Sequence, residues 1–339
     1  MRALVYTAPE RMELQDIPEP APGDGEVLLE IVAAGVCGSD IHGFLGHSAR
    51  RKPGLVMGHE TVATILETHR SVSGWKKGQR VCFNPLLTCR ACRACLSGRQ
   101  NLCSSWTLFG MDRLHGTYAE RLAVPARQLF ALSPELSDEE AILAEPMAVV
   151  LHAFRIALSG EQPQSLAIVG GGAIGSLSLV LARRRGIAKV AVVDVNEERL
   201  QAAQRLGADR VVNAAREDPA AAIRAWAPGG ACAVIEAVGS DATRRSAVAV
   251  AAKGARLLFL GLAENESPLP WIDMVRNEQA IFTSFCYAPR DFEDSVALLE
   301  AHGVDIRAWT ESRPLSDGQA GFLKMSKAPG ATLKMMLRP

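Results

Sequence analysis

Residues 166–195, LAIVGGGAIGSLSLVLARRRGIAKVAVVDV, constrain the fold of this chain more than any other stretch. An apolar run, Leu166 to Val169, enters a turn in which Gly170, Gly172 and Gly175 keep a G-x-G-x-x-G spacing, with Ala173 and Ile174 between the last two. A helical pattern continues through Arg185, and a second apolar run, Val190 to Val193, ends in Asp194. Glycines in that spacing also mark ordinary turns, but strand, turn, helix, strand and acid in this order make a dinucleotide-binding unit. The first glycine permits the tight turn, the second lets the backbone approach a pyrophosphate, and the third lets the helix pack on the strand. The helix N-terminus offers free N–H groups and a positive dipole end to the phosphates. Asp194 follows Gly175 by 19 residues, where a carboxylate accepts hydrogen bonds from the adenosine ribose hydroxyls. A carboxylate there repels a 2′-phosphate, which favours NAD over NADP.

Beyond this unit strands and helices alternate: Arg210 to Asn213, helix Asp218 to Trp226, strand Ala231 to Val238, helix Asp241 to Lys253, strand Ala255 to Leu260. Such alternation predicts a parallel sheet covered on both faces. Gly239 and Gly261 follow strands at their carboxyl ends, the rim where open α/β sheets bind ligands, and are candidates for the nicotinamide half of the site. A chain of 339 residues, 48% of them hydrophobic, is long enough for a second domain. Its first 35 residues supply one candidate, alternating short apolar runs with Pro- and Gly-rich turns such as PEPAPGDG, as in an antiparallel β domain.

Thirty-seven basic and 37 acidic residues leave no net field to attract nucleic acid or an anionic membrane. No stretch is long and apolar enough to cross a bilayer, and MRALVYTAPERMEL lacks the features of a secretory signal. The expectation is a soluble cytoplasmic protein with neither a membrane nor a nucleic-acid partner. In that setting eight cysteines point to metal or catalysis rather than to disulfides.

Four of them, Cys89, Cys92, Cys95 and Cys103, have the spacing C-x2-C-x2-C-x7-C, which can wrap tetrahedrally around one Zn²⁺ and leave no open position. A zinc ribbon for nucleic acid is disfavoured by the neutral charge. The segment VCGSDIH crowds Cys37, Ser39, Asp40 and His42 together, and Gly35 and Gly38 suggest irregular backbone there. Thiolate, hydroxyl, carboxylate and imidazole each have a use at a metal site. In MGHET, His59 and Glu60 are adjacent ahead of a strand pattern, so both can serve one metal only if the chain bends. A helical pattern runs through LSDEEAILAEPMAVVLHAF from the N-cap Ser137, and Glu145 within it is a carboxylate in apolar surroundings that needs a partner. Cys82, Cys232 and Cys286 lie in apolar runs and are expected to be buried.

Taken together, VCGSDIH, GHE, the four-cysteine lobe, AEP and GGGAIG followed by Asp194 resemble, in order and over essentially the full length, the medium-chain dehydrogenase/reductase superfamily. The resemblance is to its zinc-dependent alcohol and polyol branch, with sorbitol-, threonine- and butanediol-type enzymes. It implies an α/β fold: a Rossmann doubly wound parallel sheet at 150–287, plus a β-rich zinc-binding catalytic domain from 1–149 and 288–339 with a structural-zinc lobe at 86–106. The active site then lies in the cleft between them. It implies Cys37 and His59 as ligands of a catalytic zinc and Asp40 as the carboxylate that orients the histidine. Glu60 matches a ligand of polyol dehydrogenases and Glu145 the place of a second cysteine ligand, so either can be the third ligand. Two zinc ions per chain, one catalytic and one structural, and NAD are the implied cofactors.

The implied reaction interconverts a small secondary alcohol or polyol and its ketone. Zinc lowers the pKa of bound water to about 7 and does likewise for an alcohol; the resulting alkoxide passes hydride to the nicotinamide. The proton would leave through the Ser39 hydroxyl, the cofactor ribose and His42. Arg199 matches a basic residue near the adenosine ribose, or is a solvated first-turn arginine. Relatives form homodimers or homotetramers, and the same is expected here. One departure bears on substrate: sorbitol-type enzymes carry an arginine-tyrosine pair after a phenylalanine where this chain reads Phe285, Cys286, Tyr287. Without that guanidinium, diols, secondary alcohols, sugar derivatives and amino alcohols stand beside polyols. Phe44, Trp106 and Phe109 are candidates for lining the pocket or for packing. The rivals are a catalytically silent nucleotide- and zinc-binding protein, an NADP-linked aldehyde or ketone reductase, and a zinc-free quinone or enone reductase, the last disfavoured by Cys37 and His59.

Overall fold

A computed structural model describes residues 1–339. They form two compact units, Met1–Ala148 with Ala288–Pro339, and Val149–Tyr287. No helix is long and apolar enough to cross a membrane.

The first unit is built around the strand Glu26–Val36, which is apolar along most of its length because both of its faces are covered. One edge pairs antiparallel with Glu60–Thr68, placing Gly35 opposite Glu60. The other edge is shared by Arg121–Pro125 and by the C-terminal strand Lys334–Arg338, whose Met335 stands opposite Val36. The last residues of the chain thus return beside Cys37. Phe44 and Phe109 belong to this core: Phe44 packs on Phe322 and Phe109 on Phe83, each at 5.2 Å between ring centroids.

Two local readings of the sequence are corrected here. Gly38–Phe44 is a helix, where the glycines suggested irregular backbone. Its start is satisfied by Asp40, whose carboxylate accepts the Cys37 backbone N–H at 3.3 Å, a negative group in the first turn offsetting the helix dipole. The run after Ser137 is two helices, Asp138–Ala141 and Ala144–Leu158. Pro146 has no N–H and would clash with the carbonyl of Ile142 in one continuous helix, so the chain restarts with proline in the new first turn.

The second unit holds a six-stranded sheet in the order Arg210–Asn213, Lys189–Asp194, Ser165–Val169, Ala231–Glu236, Ala251–Phe259, Ala280–Thr283. Every pairing is parallel. Chain direction across the sheet reverses between Ser165–Val169 and Ala231–Glu236, which makes their carboxyl ends the ligand rim. The Asp241 helix ends at Val250, earlier than its pattern suggested, and the next strand starts at once and bulges at Gly254, which has φ +69°. Cys232 is exposed and Cys286 partly so, so of the three apolar-run cysteines only Cys82 is buried.

Candidate functional site

In the first unit the side chains converge on Asp40. Its carboxylate is fully buried and accepts from the Arg51 guanidinium (Nη2 to Oδ1, 2.9 Å), the Tyr118 hydroxyl (to Oδ2, 2.8 Å) and the Cys37 N–H. Burial alone would raise its pKa, but His59 and Arg51, with the Tyr118 hydroxyl, outweigh that and hold it well below the usual carboxylate range. Burial and the Asp40 charge together push the Tyr118 phenol up. Gly58, with φ +98°, makes the bend between Met57 and His59. The ring then faces Asp40, with Nδ1 at 3.5 Å from Oδ1 and no closer hydrogen-bond partner. Burial would lower the His59 pKa, and Asp40 followed by Cys37 reverse this and raise it.

Glu60, the neighbour of His59, has a partner of its own. Both of its oxygens accept from the Lys334 ammonium, at 2.7 and 2.6 Å, in a pair that is almost wholly buried. The pairing follows from the sheet: an ideal Cβ on Gly35 would lie 2.0 Å from Glu60 Oε2, so the glycine makes room for the carboxylate, and the adjoining strand brings Lys334 to it. A buried carboxylate needs such a countercharge, and Lys334 supplies it to Glu60. Burial would lower the Lys334 pKa; Glu60, then Cys37 and Glu145, raise it. Ser39 Oγ accepts from Arg51 Nη2 at 3.0 Å, and His42 lies on the same helix with its ring 5.2 Å from that of His47.

The donor set suits a catalytic zinc. Cys37 offers a sulfur, Glu145 a buried carboxyl group, and His59 a ring whose unsatisfied Nδ1 already faces a carboxylate, the arrangement that leaves the other nitrogen for metal. The one group of three or more His, Cys, Asp or Glu ligand atoms all within 4.8 Å of one another is Cys89, Cys92, Cys95 and Cys103. Two of its sulfur pairs lie 3.4 and 3.9 Å apart. Zn–S bonds of about 2.3 Å set tetrahedral edges near 3.8 Å, so this lobe also fits zinc. Backbone N–H groups of Ala91 and Cys92 draw the Cys89 thiol down to about 6, toward the thiolate a metal requires.

In the second unit Gly170 and Gly172 form the turn into the helix Ala173–Arg184, with Ile174 in its first turn. A Cβ at Gly175 would sit 1.8 Å from the Gly170 carbonyl oxygen, which is why helix and strand can meet there. Asp194 ends its strand and ties the turn down, accepting from Gly171 N–H at 2.6 Å and from Asn196 N–H at 2.8 Å. A cavity of about 530 Å³ opens beside it, lined among others by Gly170, Asp194, Arg199, Ala214, Val238 and Ser246. Arg199 Nε is buried without a hydrogen-bond partner, and Nη1 lies 3.9 Å from where a Gly172 Cβ would be. Gly239 and Gly261 pack against each other; a Cβ on the former would lie 2.2 Å from the carbonyl carbon of the latter. Glu236 Oε1 holds that rim through the N–H groups of Val238 and Gly239, at 2.9 and 2.7 Å.

Reading the sequence missed Arg51, Tyr118, Glu236 and Lys334. Lys334 had left a signal, a cation inside the apolar strand LKMML; Arg51 had left none, because ARRKPG reads as a solvated basic run.

Residues 23–134 match the alcohol dehydrogenase GroES-like domain and residues 173–301 the zinc-binding dehydrogenase domain. The chain is 30% identical to sorbitol dehydrogenase of Bacillus subtilis (strain 168), over 100% of this chain and 97% of the relative. It is 34% identical to L-threonine 3-dehydrogenase of Streptomyces avermitilis, over 95% and 93%. Among solved structures, a Sinorhizobium meliloti 1021 protein bound to NADP and assigned to the zinc-binding dehydrogenases superposes with a TM-score of 0.91 at 26% identity, covering 100% of this chain and 99% of that one.

Proposed function

The chain belongs to the zinc-dependent medium-chain dehydrogenases/reductases, oxidoreductases acting on alcohols, and from that premise we propose that it uses NAD to interconvert a secondary alcohol or polyol-type substrate and its ketone. The observation that carries the reading is the buried carboxylate of Asp40 facing His59 Nδ1, with Cys37 at the head of the same helix. Cys37, His59 and Glu145 would hold the catalytic zinc, and the four-cysteine lobe a structural one. Bound zinc supplies the positive charge that brings an alcohol hydroxyl toward ionisation at neutral pH, and NAD takes the hydride. The protein's part is placement. Asp40 sets the His59 ring, Ser39 Oγ takes up a proton, and His42 releases it to solvent. The helix start at Ala173 faces the cofactor phosphates, and Asp194 the adenosine ribose.

Asp194 supports NAD through its negative charge beside the ribose. The buried, unpaired Nε of Arg199 supports the second reading, NADP, which is the cofactor bound to the Sinorhizobium relative. Sorbitol and threonine dehydrogenases among the relatives support a polyol or amino alcohol as substrate. A homodimer or homotetramer is supported by the open edge of the Ala280–Thr283 strand and by the exposed Leu262, Trp271, Ile272 and Val275.

The test is nicotinamide absorbance on mixing zinc-loaded protein with NAD, then NADP, and a panel of polyols, diols, secondary alcohols and amino alcohols. Reduction of NAD with one group is the expected result. Silence across the panel with NAD binding intact would leave a protein that only binds.

A further inference from the structure

Arg51 lies in the loop between the helix Gly38–Phe44 and the strand Leu55–Val56, yet its side chain is only 2% exposed. Its Nη2 donates to Ser39 Oγ at 3.0 Å and to Asp40 Oδ1 at 2.9 Å, so one nitrogen bridges two consecutive residues of the helix. The helix is shaped to receive it. A Cβ on Gly43 would lie 2.1 Å from Arg51 Cδ, so the stem of the arginine fills the space of the missing side chain. The backbone just ahead of it is pinned as well: Arg50 holds Asp112 through two hydrogen bonds of 3.1 and 2.6 Å, and its carbonyl accepts the Asp112 N–H at 2.7 Å. The Arg50 guanidinium also stacks 3.8 Å over Trp106, at the end of the four-cysteine lobe.

Two consequences follow from the chemistry of the donor. Asp40 Oδ1, the atom that Arg51 holds, is also the one facing His59 Nδ1, so the arginine fixes the plane of the carboxylate that orients the ring. A guanidinium donates and never accepts, so the Ser39 oxygen has one lone pair occupied and its hydrogen turned away from Arg51. One lone pair is left to take up a proton while the hydroxyl hydrogen is free to leave in another direction.

We propose that Arg51 is a positioning residue of this site, its Nη2 holding the Ser39 hydroxyl and the Asp40 carboxylate in one fixed arrangement. The proposal rests on the zinc-dependent alcohol dehydrogenase reading and deepens it. The test uses the full-length protein loaded with cobalt(II) in place of zinc, since a visible spectrum reports ligand geometry without turnover, and in parallel the zinc enzyme. Arg51→Met should still fold and bind NAD with an unchanged KM, show shifted cobalt bands, and lose about 10- to 100-fold in kcat, the range typical of groups that orient metal ligands. Arg51→Lys should recover part of the loss, because an ammonium can still donate to both oxygens. If Arg51→Met does not fold, Arg51→Gln, which keeps an amide donor without the charge, should show the same two changes. An unaltered cobalt spectrum together with unaltered kcat in the folded variant would overturn the proposal. A wild-type protein that takes up cobalt only at the four cysteines would instead overturn the underlying reading, and would show it before any variant is compared.

Discussion

The Glu60–Lys334 pair offers the sharpest test of how this unit is built. Its side chains are 0% and 2% exposed, and the shorter of its two hydrogen bonds is 2.6 Å. At an effective dielectric constant of about 20, charges at that separation attract by about 6 kcal/mol. Removing both ions from water takes back several kcal/mol apiece, so the intact pair adds little net stability. Deleting one partner has a different effect. Lys334→Met would leave the Glu60 carboxylate buried against Gly35 without its cation, and we expect a loss of about 3–5 kcal/mol. The double variant Lys334→Met/Glu60→Gln removes the stranded charge and should regain most of it. Urea unfolding of the zinc-loaded protein at neutral pH, followed by tryptophan fluorescence, measures both. A loss below about 1 kcal/mol for Lys334→Met, the size of an exposed pair, would refute the reasoning. The same pair sets an alkaline limit. The folded pKa of Lys334 is raised, because Glu60, Cys37 and Glu145 outweigh the burial that would lower it. Its contribution is therefore complete below the unfolded lysine value of about 10.4 and is lost as pH rises through the higher folded value. The double variant should lack that dependence.

Cys95→Ser should lower the thermal midpoint and reduce zinc from two per chain to one by elemental analysis; a variant that keeps two zincs would show that the lobe is not a metal centre. His42→Ala should slow turnover, general acid–base groups being worth about 10²- to 10⁴-fold, and unchanged rates at every pH would remove His42 from the proton route. Asp194→Ser should weaken NAD and narrow the preference over NADP by about tenfold or more, the effect of one lost charged contact. An unchanged ratio of the two cofactors would restrict Asp194 to holding the Gly171 turn.

Much of the second unit was legible because its constraints are local. Glycines spaced for a turn, apolar runs of strand length and a terminal acid lie within 30 residues, and the parallel sheet follows from their repetition. The four cysteines were legible for the same reason, since 15 residues of chain carry the whole group. Boundaries were less so: the Asp241 helix stops where Gly254 allows a bulged strand, and Pro146 divides a helix that its hydrophobic pattern would continue. In the Asp40 cluster residue types could be read and partners could not. Asp40 and His59 were recognised as chemistry, but Arg51 looks like any exposed arginine until Gly43 opens a slot for its stem.

Sequence alone was enough for the fold class, the family resemblance and the grouping of the four cysteines, since each depends on short-range spacing and on chemistry that few side chains can supply. Partnership across long separations had to come from the folded chain. Glu60 and Lys334 are 274 residues apart and meet because the strands carrying them flank Gly35 and Val36. Seen in sequence, Glu60 is one of two spare carboxylates; in the sheet it has a lysine on both oxygens. The physical reason is that burial, rather than spacing, decides what a charge must find: within a core each ion requires a countercharge at contact distance, and topology selects which residue provides it.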